Sequence, residues 1–322
     1  MKLMQIRWKF ILAFLSLAAF LSWLAVLAFP DRKFHLIACD VGQGDSILAS
    51  YGETQVLIDG GPDGGKVLEC LGRHMPFWDK TIEVVLLTHQ QKDHFRGLID
   101  VFENYKVESF LATSLTSSSQ EWEVLKNMVG GSGAGVINPV LGLEVEYNLI
   151  HLDILHPSEQ FWVENASENL TENLLGSIDS QAKSSEKLNG GSGVLGAYTT
   201  SRDMNDFSLV VILSFKDFDA LLTGDMGPGI SDEVIKAIGE SGNRSIEYIK
   251  IPHHGSKNGL TEELLRIAKP QLGIISVGKN NSYGHPHKEV IELLNKENVR
   301  VLRTDEMGDV EVVSDGKTFW LK

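Results

Sequence analysis

Four short apolar segments of this chain are each followed by a cluster that contains histidine or aspartate, and this recurrence constrains the fold more than any other feature. The first segment, 82–87, leads into a run of seven residues that holds two histidines and an aspartate. The residues that follow the four segments are His89, Asp93, His94, Asp225, His253, His254 and His285. Ligand sites of α/β sheets lie beyond the carboxyl ends of strands. The sequence therefore predicts that these side chains converge.

Histidine and carboxylate together are ligands that suit zinc, manganese or iron. Taken alone, the segment 88–94 is also compatible with an ordinary polar loop before a helix. A single aspartate or histidine at a strand end is usually a cap or a surface residue. Four such clusters, each just after an apolar strand, favour a metal site.

The remaining pattern predicts an α/β fold in which strands form two groups with helices between them. The predicted strands are 34–38, 46–50, 55–59, 82–87, 107–112, 150–155, 207–215, 220–222, 246–251, 272–277, 299–302 and a hairpin over 309–321. The predicted helices are 66–74, 118–128, 231–240, 261–268 and 288–296. We expect two sheets packed together with helices outside, in one domain over residues 34–322.

One segment of this domain, at about 158–204, differs in composition from the rest. It is rich in serine, asparagine, glycine and glutamate and has few aromatic residues. Such a segment buries too little apolar surface to offset the entropy lost on ordering. We expect a long, flexible insertion here.

The N-terminal segment, 1–30, is predicted to be a membrane anchor or a signal peptide. Lys2, Arg7 and Lys9 precede an uncharged stretch over 10–29, and a helix of this length spans about 30 Å, enough for a bilayer core. An anchor gives a single-pass membrane protein with its large domain outside the cytoplasm. The alternative is secretion after cleavage near residues 26–28, and we favour the anchor because the apolar run is long.

Composition limits the range of partners. The formal net charge of −14 argues against a broad basic surface for nucleic acid, although a local groove or metal-held phosphates remain compatible with it. Cys39 and Cys70 each lie in an apolar run, which favours two buried thiols. A disulfide between them stays open, because spacing alone does not show pairing.

Seven motifs in order carry a resemblance to a known family. They are Asp-Val-Gly-Gln-Gly-Asp (40–45), Ile-Asp-Gly-Gly-Pro (58–62), Thr-His-x-x-x-Asp-His (88–94), Asn-Asp-x-Ser-Leu-Val (205–210), Thr-Gly-Asp (223–225), His-His-Gly-Ser (253–256) and Tyr-Gly-His-Pro (283–286). This order resembles the metallo-β-lactamase-fold domain of the ComEC family of competence DNA-uptake channel proteins. The resemblance runs from residue 34 to the C-terminus, apart from the insertion, and implies an αββα sandwich with a metal site at one edge. The polytopic channel of that family is not part of this sequence.

The resemblance implies one complete metal position, formed by Asp93, His94, Asp225 and the last histidine, for which we take His253 and keep His254 as the alternative. A second position, with His89 and a bridging Asp225, departs from the wider fold.

Gln91 and Asn205 stand where that second position usually has histidines, and His156 is a weaker candidate for the place of Asn205. Carboxamide oxygens are weaker donors than imidazole. The second position is therefore expected to be weak, empty or selective for manganese or magnesium.

Three further features have roles that stay open. Asp45 and Asp59 are expected to orient metal-binding histidines. His285 either donates a proton to a leaving group, which we favour, or caps a helix. The glycine-rich loop 40–45 either approaches a substrate phosphate through its backbone N–H groups or makes a tight turn.

These features predict a hydrolase that uses a metal-activated water, with one or two zinc or manganese ions and with Asp93 and His285 as catalytic residues. The resemblance favours a phosphodiester such as extracellular DNA. The alternatives are a small ester or lactone substrate, or a non-catalytic binding module of a DNA-uptake or envelope assembly. The sequence names no protein partner.

Overall fold

The computed structural model describes residues 2–168, 193–242 and 244–322. Its strands are β1 Phe34–Ala38, β2 Ile47–Tyr51, β3 Thr54–Ile58, β4 Thr81–Leu87, β5 Lys106–Ala112, β6 Gly135–Ile137, β7 Glu144–Tyr147, β8 Ile150–His156, β9 Ser167–Glu168, β10 Tyr198–Thr199, β11 Val210–Phe215, β12 Phe218–Leu222, β13 Tyr248–Lys250, β14 Leu272–Ile275, β15 Arg300–Arg303, β16 Val310–Ser314 and β17 Phe319–Leu321. Its helices are α1 Lys2–Ala28, α2 Gly64–His74, α3 Lys92–Phe95, α4 Leu98–Asn104, α5 Gln120–Ser132, α6 Glu159–Asn165, α7 Ser231–Glu240, α8 Glu262–Ala268, α9 Lys288–Lys296 and α10 Thr304–Met307.

Two large sheets form the body of the fold. The first has eight strands in the order β17-β16-β1-β2-β3-β4-β5-β6, and the second has seven in the order β15-β14-β13-β12-β11-β8-β7. Strands β3 to β6 run parallel, as do β12 to β15, whereas the remaining pairs within these two sheets are antiparallel. The mixed α/β architecture with two large sheets is confirmed.

The alternation of side chains along each strand places a core on both sides of each sheet. In β1, Phe34 and Leu36 belong to the core shared by the two sheets, and Ile37 belongs to the core under α2, α4 and α5. A third core lies between the second sheet and α7, α8 and α9. The layers are therefore helix, sheet, sheet and helix, as predicted.

Helix α1 covers almost all of the predicted N-terminal segment. Within the part of the chain that the structure describes, no helix combines the length and the apolar character needed to cross a membrane. The transmembrane anchor expected at 1–30 is therefore not supported.

Cys39 and Cys70 form a disulfide, with their Cα atoms 5.9 Å apart, so the expectation of two free thiols was wrong. Cys39 follows β1 and Cys70 lies on the inner face of α2, and both are buried. The bond links α2 to the first sheet, at the start of the loop that follows β1.

The predicted insertion lies partly outside the described residues, since 169–192 are not among them. On either side the chain is ordered: α6 precedes β9, and β9 pairs with β10. Trp162 is buried with Leu115 and Phe207, and Phe161 and Tyr198 pack against them. These aromatic side chains supply apolar contacts that the composition of the segment as a whole concealed.

Candidate metal centre

The structure brings the strand-end clusters of both sheets to one edge of the sandwich. Asp93 and His94 lie in α3, beyond β4 of the first sheet, while Asp225 and His254 follow β12 and β13 of the second. Each of these four residues offers one oxygen or nitrogen, and these atoms all lie within 4.8 Å of one another. Three of the four side chains are buried, and Asp93 is 32% exposed.

His94 is held by its inner nitrogen. Its Nδ1 lies 2.8 Å from Asp59 Oδ2, while the two carboxylate oxygens of Asp59 also accept from the backbone N–H and the hydroxyl of Thr88. The His94 Nε2 atom lies 3.3 Å from Asp225 Oδ2 and is buried without a hydrogen-bond partner. Asp59 thus orients His94 so that Nε2 is the atom left to bind a ligand.

His254 is arranged in the same way. Its Nδ1 donates to the carbonyl oxygen of Ser276 at 2.9 Å and lies 3.4 Å from Asp45 Oδ1. Its Nε2 lies 3.1 Å from Asp225 Oδ2 and 3.5 Å from Asp93 Oδ2, again without a hydrogen bond. Two buried imidazoles therefore present unpartnered Nε2 atoms beside two carboxylates.

The last histidine of the group is His254, where the sequence prediction took His253. Both residues have left-handed backbone angles, with φ of 50° at His253 and 53° at His254. This tight turn separates the two side chains. His254 is buried against Asp225, whereas His253 is half-buried with its ring centre 5.7 Å from that of His285. The ligand expected at His253 is accordingly reassigned to His254.

The charges of the group depend on one another. Burial lowers the pKa of His94, but the carboxylates of Asp225 and Asp59 outweigh it and raise that pKa well above its ordinary value. Burial raises the pKa of Asp225, but the charges of His254 and Lys250 hold it well below its usual range. A divalent ion in this position competes with protons for the same nitrogen atoms.

The residues expected at a second metal position lie beside the group but outside it. The His89 ring centre is 4.1 Å from that of His94, and its Nε2 is buried and unpartnered. Burial and the charge of His94 lower the pKa of His89 to about 3, so its imidazole is neutral. The Oδ1 atom of Asn205 is also buried without a partner, whereas Gln91 is half-buried at the start of α3.

The weaker candidate His156 has other partners. Its Nε2 donates to the carbonyl oxygen of Asp206 at 2.8 Å, and its Nδ1 lies 3.2 Å from Glu233. It is not in the four-residue group.

His285 lies at the rim of the centre, on the loop before α9. Its ring centre is 6.5 Å from that of His254, and its Nδ1 has no hydrogen-bond partner. Burial and the neighbouring charge of His254 lower its pKa to about 4. Asn281 braces the loop, because its side chain accepts from the His285 backbone N–H and donates to the His285 carbonyl. The residue at the N-cap of α9 is His287, so His285 is not the helix cap.

The glycine-rich loop 40–45 packs directly on the metal-binding loop. A Cβ at Gly44 would collide with the backbone carbonyl of Asp93, and the Asp45 N–H donates to the same carbonyl at 3.2 Å. The absence of a side chain at Gly44 therefore allows Asp45 to reach His94 and His254, which favours the tight-turn interpretation of this loop.

Lys250 is a residue of the centre that the sequence interpretation missed. It is 1% exposed at the end of β13, and its Nζ contacts Asp45 Oδ2, Asp225 Oδ1 at 3.1 Å and the Gly224 carbonyl at 2.8 Å. Burial lowers the pKa of Lys250, but the charges of Asp45 and Asp225 outweigh it and raise that pKa. Its position at the end of an apolar strand, just before two histidines, is the sequence signal that could have identified it.

An open cavity of about 480 Å³ adjoins the centre, and Asp93 lines it together with Gln90, Gln91, Lys92, Ser117, Ser118, Ser119 and Met204. Asp93 therefore connects the buried group with space that a substrate can enter.

The amino-acid sequence of the chain is similar to sequences of proteins named for competence or recombination. No family model matches it. Over 295 residues it is 25% identical to ComE operon protein 3 of Bacillus subtilis, which covers 84% of this chain and 32% of that protein. Over 278 residues it is 22% identical to Recombination protein 2 of Haemophilus influenzae, which covers 85% of this chain and 28% of that protein. The chain spans about a third of the length of these curated relatives.

Similar solved structures have the metallo-β-lactamase fold. The metallo-β-lactamase fold protein YhfI from Bacillus subtilis is 10% identical in sequence, with a TM-score of 0.47. The match covers 90% of this chain and 100% of that one. Tm1679, described as a metal-dependent hydrolase of the β-lactamase superfamily, is 14% identical with a TM-score of 0.47, over 84% of this chain and 95% of that one. The resemblance to competence-related proteins that the motifs indicated is confirmed, and the descriptions of these solved structures name the fold that the same motifs implied.

Proposed function

We propose that the chain is a metal-dependent hydrolase whose centre is formed by Asp93, His94, Asp225 and His254. The observation that carries this proposal is the pair of buried, unpartnered Nε2 atoms beside two carboxylates, with all four ligand atoms within 4.8 Å. A buried polar atom without a partner is costly, and a divalent ion satisfies both nitrogen atoms and both carboxylates at once.

The donor set fits the ion. Two imidazoles and two carboxylates suit zinc and manganese, and the partners of each Nδ1 supply the outer support that such histidines usually have. When bound, a divalent ion supplies polarisation of the scissile bond and activation of water near neutral pH.

The protein's own groups supply the remaining chemistry. Asp93 is the ligand that reaches the cavity, so its carboxylate orients the attacking water. Burial raises the pKa of Asp93, but the imidazole of His254, 3.5 Å away, and the charge of His94 keep that pKa low, so Asp93 acts as an acceptor. His285 lies at the rim, where its imidazole is neutral near pH 7 and relays a proton to the leaving group while it takes one from solvent.

The substrate class that we propose is a phosphodiester of single-stranded DNA. The names of two curated relatives, Recombination protein 2 and Competence protein ComA of Neisseria gonorrhoeae, refer to recombination and competence. Tyr283 is 67% exposed and its ring is stacked on His285, with 5.7 Å between the centres. Exposed aromatic rings are platforms for unpaired bases. The net charge of −14 disfavours a broad grip on duplex DNA.

The Cys39–Cys70 disulfide supports a location outside the cytoplasm, because such bonds persist in oxidising compartments. We therefore propose that the catalytic domain acts in the cell envelope.

A second candidate is a non-catalytic binding module. Gln91 and Asn205 favour it, because both replace histidines that the wider fold uses. It predicts that the chain binds DNA but shows no turnover with any metal.

The test is hydrolysis by the full chain loaded with manganese or zinc, using single-stranded DNA, bis-p-nitrophenyl phosphate and a panel of lactones. We expect turnover of both phosphodiesters and a loss of about 100-fold or more in Asp93→Asn. Asp217→Asn, at an exposed turn residue, is the matched control and should keep full activity. Turnover of lactones alone would overturn the substrate class, and no turnover of any compound by metal-loaded protein would overturn the hydrolase.

A further inference from the structure

Lys250 is buried within the metal group, where a cation of the protein itself lies beside the ligands. Its ammonium has three N–H donors, and the structure gives it three acceptors, on Asp45, Asp225 and Gly224. A lysine that is 1% exposed is rare unless it is paired. Its place in the centre therefore calls for an explanation beyond packing.

The two oxygens of the Asp225 carboxylate have different neighbours. Its Oδ2 faces His94 Nε2 at 3.3 Å and His254 Nε2 at 3.1 Å, whereas its Oδ1 accepts from Lys250 Nζ at 3.1 Å. A carboxylate can bridge two metal ions by giving one oxygen to each. In this centre, the oxygen that a second ion would need is already bound to an ammonium group.

The ligands available for a second metal ion are also few. His89 and Asn205 each offer one unpartnered buried atom, and both are neutral ligands. Among the residues that the structure describes, His89 and Asn205 bring no negative charge of their own, so a second divalent ion beside them would depend on an oxygen of Asp225.

We propose that the Lys250 ammonium takes the place of a second metal ion, by binding Asp225 Oδ1 and turning Oδ2 toward a single divalent ion. Lys250 is thus a positioning residue that limits the centre to one ion and fixes the orientation of the Asp225 carboxylate. This inference rests on the proposed function, because it assumes that the four-residue group binds metal.

The test compares metal stoichiometry in the full-length wild type, in Lys250→Met and in Lys236→Met. Methionine has nearly the length of lysine but no charge, and Lys236, which is 77% exposed, provides the control. After saturation with manganese and removal of free ion, we expect one ion per chain in the wild type and the control. We expect two in Lys250→Met, because Asp225 Oδ1 is released beside His89.

Electron paramagnetic resonance of the manganese-loaded wild type tests the proposal without any variant. A single ion gives an uncoupled six-line signal, and two ions sharing Asp225 give an exchange-coupled signal. Two coupled ions in the wild type, or one ion or none in a folded Lys250→Met, would overturn the role of Lys250 and leave the hydrolase proposal standing. A wild type that binds no ion would overturn both.

Discussion

Asp59 is the residue whose substitution best measures how much the orientation of His94 contributes to metal binding. Its carboxylate accepts from the Thr88 N–H at 2.7 Å, from the Thr88 hydroxyl at 2.8 Å and from His94 Nδ1 at 2.8 Å. Its φ of 59° is left-handed, a conformation that asparagine tolerates well. Asp59→Asn therefore tests the acceptor oxygens with little change in backbone or volume.

The magnitude follows from the acceptors that are lost. If the amide nitrogen takes the place of Oδ2, the His94 Nδ1–H and the Thr88 hydroxyl both face a donor. If the amide nitrogen takes the place of Oδ1 instead, the Thr88 N–H faces that donor. Each buried group left unpaired costs about 1–3 kcal/mol. Loss of the group that orients a metal-binding histidine weakens metal affinity by about 10- to 100-fold, or about 1.4–2.7 kcal/mol.

Competition with a chromogenic chelator measures the metal affinity, and urea unfolding of the metal-free protein measures stability. We expect the dissociation constant to rise within that range in Asp59→Asn and to stay unchanged in Asp217→Asn. A folded Asp59→Asn with wild-type affinity would refute the reasoning, since it would mean that Asp59 does not orient His94 for binding.

Two further predictions concern stability. The Cys39–Cys70 bond spans 31 residues, so Cys39→Ala/Cys70→Ala should lose about 3–4 kcal/mol by loop-closure entropy; urea unfolding with and without a thiol reductant checks this, and equal stability of wild type and variant would contradict it. Burial lowers the pKa of His35, but hydrogen bonds with Glu311 and Asp31 outweigh it and raise that pKa above 6.5. The stabilisation by His35 is therefore complete below about pH 6.5 and is lost as the pH rises through the raised pKa. His35→Gln should for this reason lower the free energy of unfolding more at about pH 5.5 than at about pH 9. Unfolding curves that show the same loss at both pH values would count against this prediction.

The strand-end histidines and aspartates could be recognised from sequence because each follows an apolar run that alone predicts a buried strand. The run 82–87 became β4, and the predicted hairpin over 309–321 became β16 and β17. Local patterns of this kind are set by side-chain periodicity, which a sequence displays directly.

The features that were missed depend on contacts between distant residues. His253 and His254 are adjacent and equivalent as letters, and only the left-handed turn decides which one reaches Asp225. Lys250 looked like an ordinary charged strand end until the fold placed two carboxylates around it. The disulfide depends in the same way on how α2 packs against the first sheet.

The central claim is that Asp93, His94, Asp225 and His254 form a metal centre, and elemental analysis of the purified full chain tests it most directly. The account predicts about one divalent ion per chain in the wild type after saturation with zinc or manganese. It predicts almost none in His94→Ala/His254→Ala, which removes both unpartnered Nε2 atoms. Equal metal content in the wild type and this variant would contradict the account.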